Sequence, residues 1–189
     1  MDLTPLFASF LLVMVAELGD KTQLTVITLS SCSNALLVFA GAMLGFMLVS
    51  GIGVVVGDVL SLLIPIPVIR VASALLFLAY GIYTILSRSR EEHAEKIDTG
   101  CAMLSAFSMI TLMELGDKTQ LAVIALAAEY SIPIVVYAGV IAAFTLVTGL
   151  GVLIGRTIIK IIPLKYVKLG SGIVFLLFGI IFLVNMLFL

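Results

Sequence analysis

The octapeptide Glu-Leu-Gly-Asp-Lys-Thr-Gln-Leu occurs twice in this chain, at 17–24 and again at 114–121, each time inside a long apolar run. Three ionisable residues within a hydrophobic segment restrict what the chain can fold into, and an identical second copy restricts it further. An ionised side chain at the centre of a membrane helix costs about 2.5–3.5 kcal/mol even on the mildest insertion scale, so six without compensation would cost roughly 15–20 kcal/mol. That is at least as much as the whole stability of a typical domain. The six side chains must face one another, water or an ion.

Composition makes the surrounding solvent a bilayer. The 189 residues are 62% hydrophobic and 11% charged, with a mean hydropathy of +1.33, against roughly 25% charged residues in an ordinary globular domain. A soluble chain of this kind would lack the polar surface to cover its core. The net charge of −1 carries little information, because charge is concentrated in few places. The densest is Arg88–Asp98, which reads as a solvated linker dividing the chain. The start, Met-Asp-Leu-Thr-Pro-Leu-Phe, has no basic region and reads as a retained helix rather than a removed signal peptide. Cys32 and Cys101 form neither a CxxC site nor a disulfide framework.

Six stretches are long and apolar enough to span a bilayer, at about 5–30, 36–58, 68–87, 102–128, 133–156 and 166–189. Their continuous apolar character predicts helices rather than the period-two strands of a barrel. Similarity between the halves extends past the octapeptide: Gly41 matches Gly139, Phe46 matches Phe144, Ser50 matches Thr148, Pro65 matches Pro163, Arg70 matches Lys168 and Phe77 matches Phe175. The expected fold is an all-α integral membrane protein whose six transmembrane helices form two three-helix repeats, 1–87 and 101–189, joined by the charged linker 88–100. An odd number of helices per repeat inverts one repeat relative to the other, an arrangement recurrent in secondary transporters. Basic residues weight one side (Arg88, Arg90, Lys96, Arg156, Lys160, Lys165, Lys168), and Arg70 stands alone on the other. The linker is therefore expected to be cytoplasmic and both termini extracytoplasmic.

On a continuous helix Glu17, Asp20, Lys21 and Leu24 share one face, as do Glu114, Asp117, Lys118 and Leu121. One reading is a purely structural knot, with Glu17–Lys21 and Glu114–Lys118 paired one turn apart. Charge counting opposes it: four carboxylates against two ammonium groups leave an excess of two negative charges, which one divalent cation would cancel. Carboxylates, the amides of Gln23 and Gln120 and the hydroxyls of Thr22 and Thr119 suit a hard cation such as calcium, manganese or magnesium, and the spans contain no histidine. Glu17, Asp20, Glu114 and Asp117 are the metal candidates. Gln23, Gln120, Thr22, Thr119, Ser50 and Thr148 are further ligand or path candidates, and Lys21 and Lys118 tune the charge. Gly19 and Gly116 lower helix propensity inside the motif, either to loosen the helix or to pack it closely. Metal and protons would compete for the same carboxylates, which is the minimum an exchanger needs.

Two copies of Glu-x-Gly-Asp-Lys-Thr, one per half, resemble the signature of the cation-transporter family that includes bacterial manganese exporters and the Golgi calcium/manganese transporters. The resemblance implies manganese export in exchange for protons, with a calcium/proton antiporter on the same scaffold as the alternative and a divalent cation channel behind it. It implies an inner-membrane protein whose partners are Mn2+ or Ca2+, protons and the lipid bilayer, with no nucleic acid and no cofactor beyond the transported ion. An enzyme is not expected: the spans carry no HExxH-like motif and no Ser/Lys or Cys/His pairing.

Overall fold

In a computed structural model of the chain, the described residues are 3–86, 102–161 and 164–188. They form eight helices: α1 (Thr4–Glu17), α2 (Lys21–Cys32), α3 (Ala35–Leu63), α4 (Ile66–Leu86), α5 (Ala102–Glu114), α6 (Lys118–Tyr130), α7 (Pro133–Ile161) and α8 (Leu164–Phe188). The all-helical expectation holds. Three stretches, Ala35–Leu63, Ile66–Leu86 and Pro133–Leu153, are long and apolar enough to cross a bilayer, and Thr4–Glu17, Ala102–Glu114 and the Gly172–Val184 part of α8 are shorter apolar helical stretches. The 88–100 linker and Cys101 lie outside the described residues, as do the side chains of Cys32, Arg156, Lys160, Lys165 and Lys168.

The expected continuous spans at 5–30 and 102–128 are corrected. Each is two helices, separated by Leu18-Gly19-Asp20 and by Leu115-Gly116-Asp117. Gly19 has φ +71° and Gly116 φ +79°, in the left-handed region that costs other L-residues about 1–2 kcal/mol. A residue in that conformation ends an α-helix, and Asp20 and Asp117 then start the next one from extended backbone, with ψ of 165° and 166°. Hydropathy hides the break because the flanking residues stay apolar.

The remaining boundaries follow ordinary end chemistry. The Asn34 side chain accepts hydrogen bonds from the Leu36 and Leu37 amides at the start of α3. Pro65 lies between α3 and α4, and Pro133 opens α7, at the helix position where its missing N–H is not needed.

The helices of one half pack mainly on those of the other. The long helix α3 lies along α5 and α6, α7 lies along α1 and α2, and α4 pairs with α8. Close approach is possible because Gly41 faces the Met103 carbonyl and Ala106, while its counterpart Gly139 faces the Leu6 carbonyl and Ser9. A β-carbon at either would collide with backbone. Phe46 and Phe144 stack with centroids 3.8 Å apart where α3 meets α7. Phe77 on α4 is enclosed by Phe175, Phe178 and Phe182 of α8. These rings are buried with Val38, Val140, Ala42 and Ala143 in one apolar core.

Candidate cation site

The two motifs meet through crossed contacts. The Thr22 hydroxyl donates to Glu114 Oε1 at 2.7 Å, and the Thr119 hydroxyl donates to Glu17 Oε1 at 2.5 Å. All four residues are buried. Lys118 Nζ donates to Asp20 Oδ2 at 2.5 Å and lies 3.6 Å from Asp117 Oδ2. Lys21 Nζ is 3.8 Å from Asp117 Oδ1. The reading of one shared helix face with Glu–Lys pairs one turn apart is therefore overturned. The left-handed glycine turns the chain between Glu and Asp, so each motif pairs with the other copy, and the lysines reach aspartates rather than glutamates.

The glutamines fix the breaks. Gly19 N–H donates to Gln23 Oε1 and Gly116 N–H to Gln120 Oε1, both at 2.6 Å. Gln23 and Gln120 stand third in α2 and α6 and reach back to an otherwise unpaired amide before the helix, a relative of the capping box. The oxygen that could have served a cation is thereby committed to backbone. Asp20 and Asp117 occupy the N-cap positions yet make no capping hydrogen bond, which leaves their carboxylates for Lys118, Lys21 or an ion.

Carboxylate oxygens of Glu17, Glu114 and Asp117 lie within 4.8 Å of one another, the one such cluster among the described residues. Two oxygens on opposite sides of a calcium ion sit roughly 5 Å apart, twice a 2.3–2.6 Å ligand distance, so the spacing suits a hard divalent cation. Asp20, the fourth predicted acid, is drawn instead to Lys118. Asp117 Oδ2 is buried with no hydrogen bond, and its charged neighbour is Lys118 Nζ at 3.6 Å. A cavity of about 10 Å³, at the threshold for one water, adjoins Glu114 and is lined by Ser50, Thr119, Gln120, Val123 and the Phe46–Phe144 stack. Ser50 thus reaches the site from α3, and Thr148 is buried at the corresponding place on α7.

Sequence reasoning missed one ion pair. Arg70 Nε donates to Glu129 Oε1 at 2.8 Å, joining α4 to α6. The available signal was that each is a lone charge at the end of an apolar stretch.

A family model described as the divalent cation/proton antiporter GDT1 matches residues 5–92 and 102–188. Among curated relatives, the chain is 28% identical to the chloroplast protein PAM71 of Arabidopsis thaliana, over 94% of this chain and 56% of that one. It is 30% identical to the GDT1-like protein sll0615 of Synechocystis, over 95% of this chain and 96% of that one. It is 40% identical to the divalent cation/proton antiporter GDT1 of Saccharomyces cerevisiae, over 40% of this chain and 27% of the yeast protein. The chain thus spans about half the length of PAM71 and matches about a quarter of the yeast protein. No solved structure matches. The match of this family model across both halves of the chain places it in the GDT1 family of divalent cation/proton antiporters.

Proposed function

We propose that this protein is a secondary transporter that exports Mn2+ from the cytoplasm in exchange for protons. Its cation site lies at the membrane midplane, between two inverted three-helix repeats (1–87 and 101–189). The observation that carries the reading is the convergence of Glu17, Glu114 and Asp117 on one point, reached only because each motif hydrogen-bonds the other copy. Four carboxylates and two lysines leave an excess of two negative charges, which one divalent ion or two protons would balance. Binding of either excludes the other, and that exclusion couples the two fluxes. Breaks that form half-helices at midplane depth are a recurrent feature of transporter ion sites.

The linker 88–100 is assigned to the cytoplasm and both termini to the opposite side, from the asymmetry of Lys and Arg, and the membrane to a bacterial inner membrane. Manganese rests on the family resemblance, since the oxygen donors alone also suit calcium.

The test is purified protein in liposomes, following manganese and calcium flux with an internal pH dye, beside Asp117→Asn. Manganese entry coupled to proton exit is expected, falling at least a hundredfold in the variant, on the order of 3 kcal/mol in carboxylate–cation interaction. Calcium moving in place of manganese would reassign the substrate. Flux indifferent to an imposed pH gradient would overturn the exchange.

A further inference from the structure

Outside the central site, the feature that distinguishes the two halves most sharply is the ion pair between Arg70 and Glu129. The Glu129 side chain is 6% exposed and that of Arg70 20%. Glu129 belongs to α6, eleven residues beyond Lys118 and so roughly 16 Å from the motif along the helix. There α6 ends in a tight turn: Ser131 is left-handed (φ 50°) with its N–H bonded to the Ala127 carbonyl, and Pro133 opens α7 two residues later. Inboard of the pair, the same helices are packed and apolar. Gly57 of α3 lies against the Ile124 carbonyl and Ala127. A crevice of about 180 Å³ separates α3, α4 and α6, lined by Leu60, Ile64, Val68, Ile69, Leu121 and Ala128 among others. Val68 and Ile69 precede Arg70, and Ala128 precedes Glu129, so residues that line the crevice adjoin both partners of the ion pair along the chain.

The other half cannot build the same closure. Counting from the octapeptides, the counterpart of Glu129 is Cys32, and in the register that aligns Gly41 with Gly139, one residue longer, that of Arg70 is Lys168. No acidic residue occurs between Asp20 and Asp58. In an inverted repeat, equivalent positions lie at opposite membrane faces, so an acid–base pair at these positions exists at one face only. Under the topology proposed above, that face is extracytoplasmic.

We infer that Arg70 and Glu129 form a one-sided latch, which ties α4 to the end of α6, holds the extracytoplasmic side of the transporter closed, and opens once in each cycle. The energetics fit a contact that must break repeatedly. Burial of both charges offsets much of their attraction, and Glu129 Oε2 is buried with no hydrogen bond. Parting the pair into water returns hydration to both groups, so opening is inexpensive. Removing one partner is different, because the remaining charge favours the open, hydrated arrangement.

The inference takes its membrane side and its cycle from the transport reading, but its test requires no transport. In a Cys32→Ser/Cys101→Ser background, Ala128→Cys (Ala128 is 2% exposed) reports on the crevice in nanodiscs, through its rate of reaction with a water-soluble, membrane-impermeant thiol reagent. With the pair intact the reaction is expected to be slow. Arg70→Gln and Glu129→Gln should each speed it at least about fivefold, the low end of conformational couplings, and the exchanged pair Arg70→Glu/Glu129→Arg should return it toward the slow rate. Unchanged rates in both single variants, or a fast rate in the exchanged pair, would overturn the latch. If neither single variant elutes as a monodisperse protein, the exchanged pair decides: monodisperse and slow supports the latch, aggregated or fast rejects it. Lost metal flux with labelling still responsive would sink the exchanger and leave the latch standing. Intact flux with unresponsive labelling would do the reverse.

Discussion

The two octapeptides are identical in sequence and nearly identical in backbone, yet their charges are used unequally. Both break after Glu at a left-handed glycine, both restart a helix at Asp, and both commit a glutamine to the glycine amide. Lys118, however, is 16% exposed and held between Asp20 and Asp117, whereas Lys21 is 44% exposed and reaches only Asp117, at 3.8 Å. Local sequence dictates the break, while the surrounding half decides the pairing. Since the inequality cannot come from the octapeptides, it comes from what packs around them. It means that one conformation of the protein withholds Asp20 from the cluster and leaves Asp117 in it.

The largest expected effect breaks this comparison at the lysines. Lys118→Gln strips the ammonium from Asp20 inside a mostly buried site, a change that costs about 3–5 kcal/mol when one partner of a buried pair is lost. Lys21→Gln removes a longer, half-exposed contact worth no more than about 1 kcal/mol. Thermal unfolding in detergent, with both variants beside the parent, should therefore show Lys118→Gln as the far less stable of the two. Equal losses would mean that the two lysines exchange roles in solution and that the inequality is not a property of the resting protein.

Much of this site was legible before any coordinates. Glu17, Glu114 and Asp117 were candidates on charge and donor chemistry alone, because a bilayer leaves six ionisable groups few other options. The crossing was not legible. Helical periodicity assumes an unbroken helix, and one left-handed glycine rotates every later residue off the expected shared face, so the lysines meet aspartates, Lys118 both across the copies and within its own. Gly19 and Gly116 carried that signal, but in a membrane helix a glycine serves as often for close packing, as Gly41 and Gly139 do here. Asp20 looked equivalent to Asp117 because a repeat comparison cannot show which copy is engaged. The Arg70–Glu129 pair was invisible for another reason: it depends on where α4 and α6 meet, and each residue alone resembled an ordinary interfacial charge.

A middle-sized effect sharpens the part of the comparison in which the copies agree. The Thr22 and Thr119 hydroxyls each donate to a glutamate of the other motif, and a hydrogen bond to a charged group contributes about 1.5–3 kcal/mol. Valine conserves the branched shape and removes the donor. Thr22→Val and Thr119→Val should weaken manganese binding by similar factors, roughly tenfold each on that scale, measured by displacement of a bound ion from the purified protein. A large disparity would show that the glutamates, like the lysines, are unequal partners.

The smallest effect isolates the backbone. At Gly116 a β-carbon would meet no atom within 4 Å, so a substitution there is governed by its φ of +79° rather than by space. Ala in that conformation costs about 1–2 kcal/mol, while Asn visits it more readily through local hydrogen bonding of its short polar side chain. Thermal unfolding should rank Gly116 above Asn and Asn above Ala, with the same order at Gly19, whose φ is +71°. If Ala were tolerated as well as Gly at both positions, the break would not depend on a left-handed residue. The helix could then run through the motif, each Glu would regain the Lys one turn away, and the three-carboxylate cluster would lose the turn that assembles it.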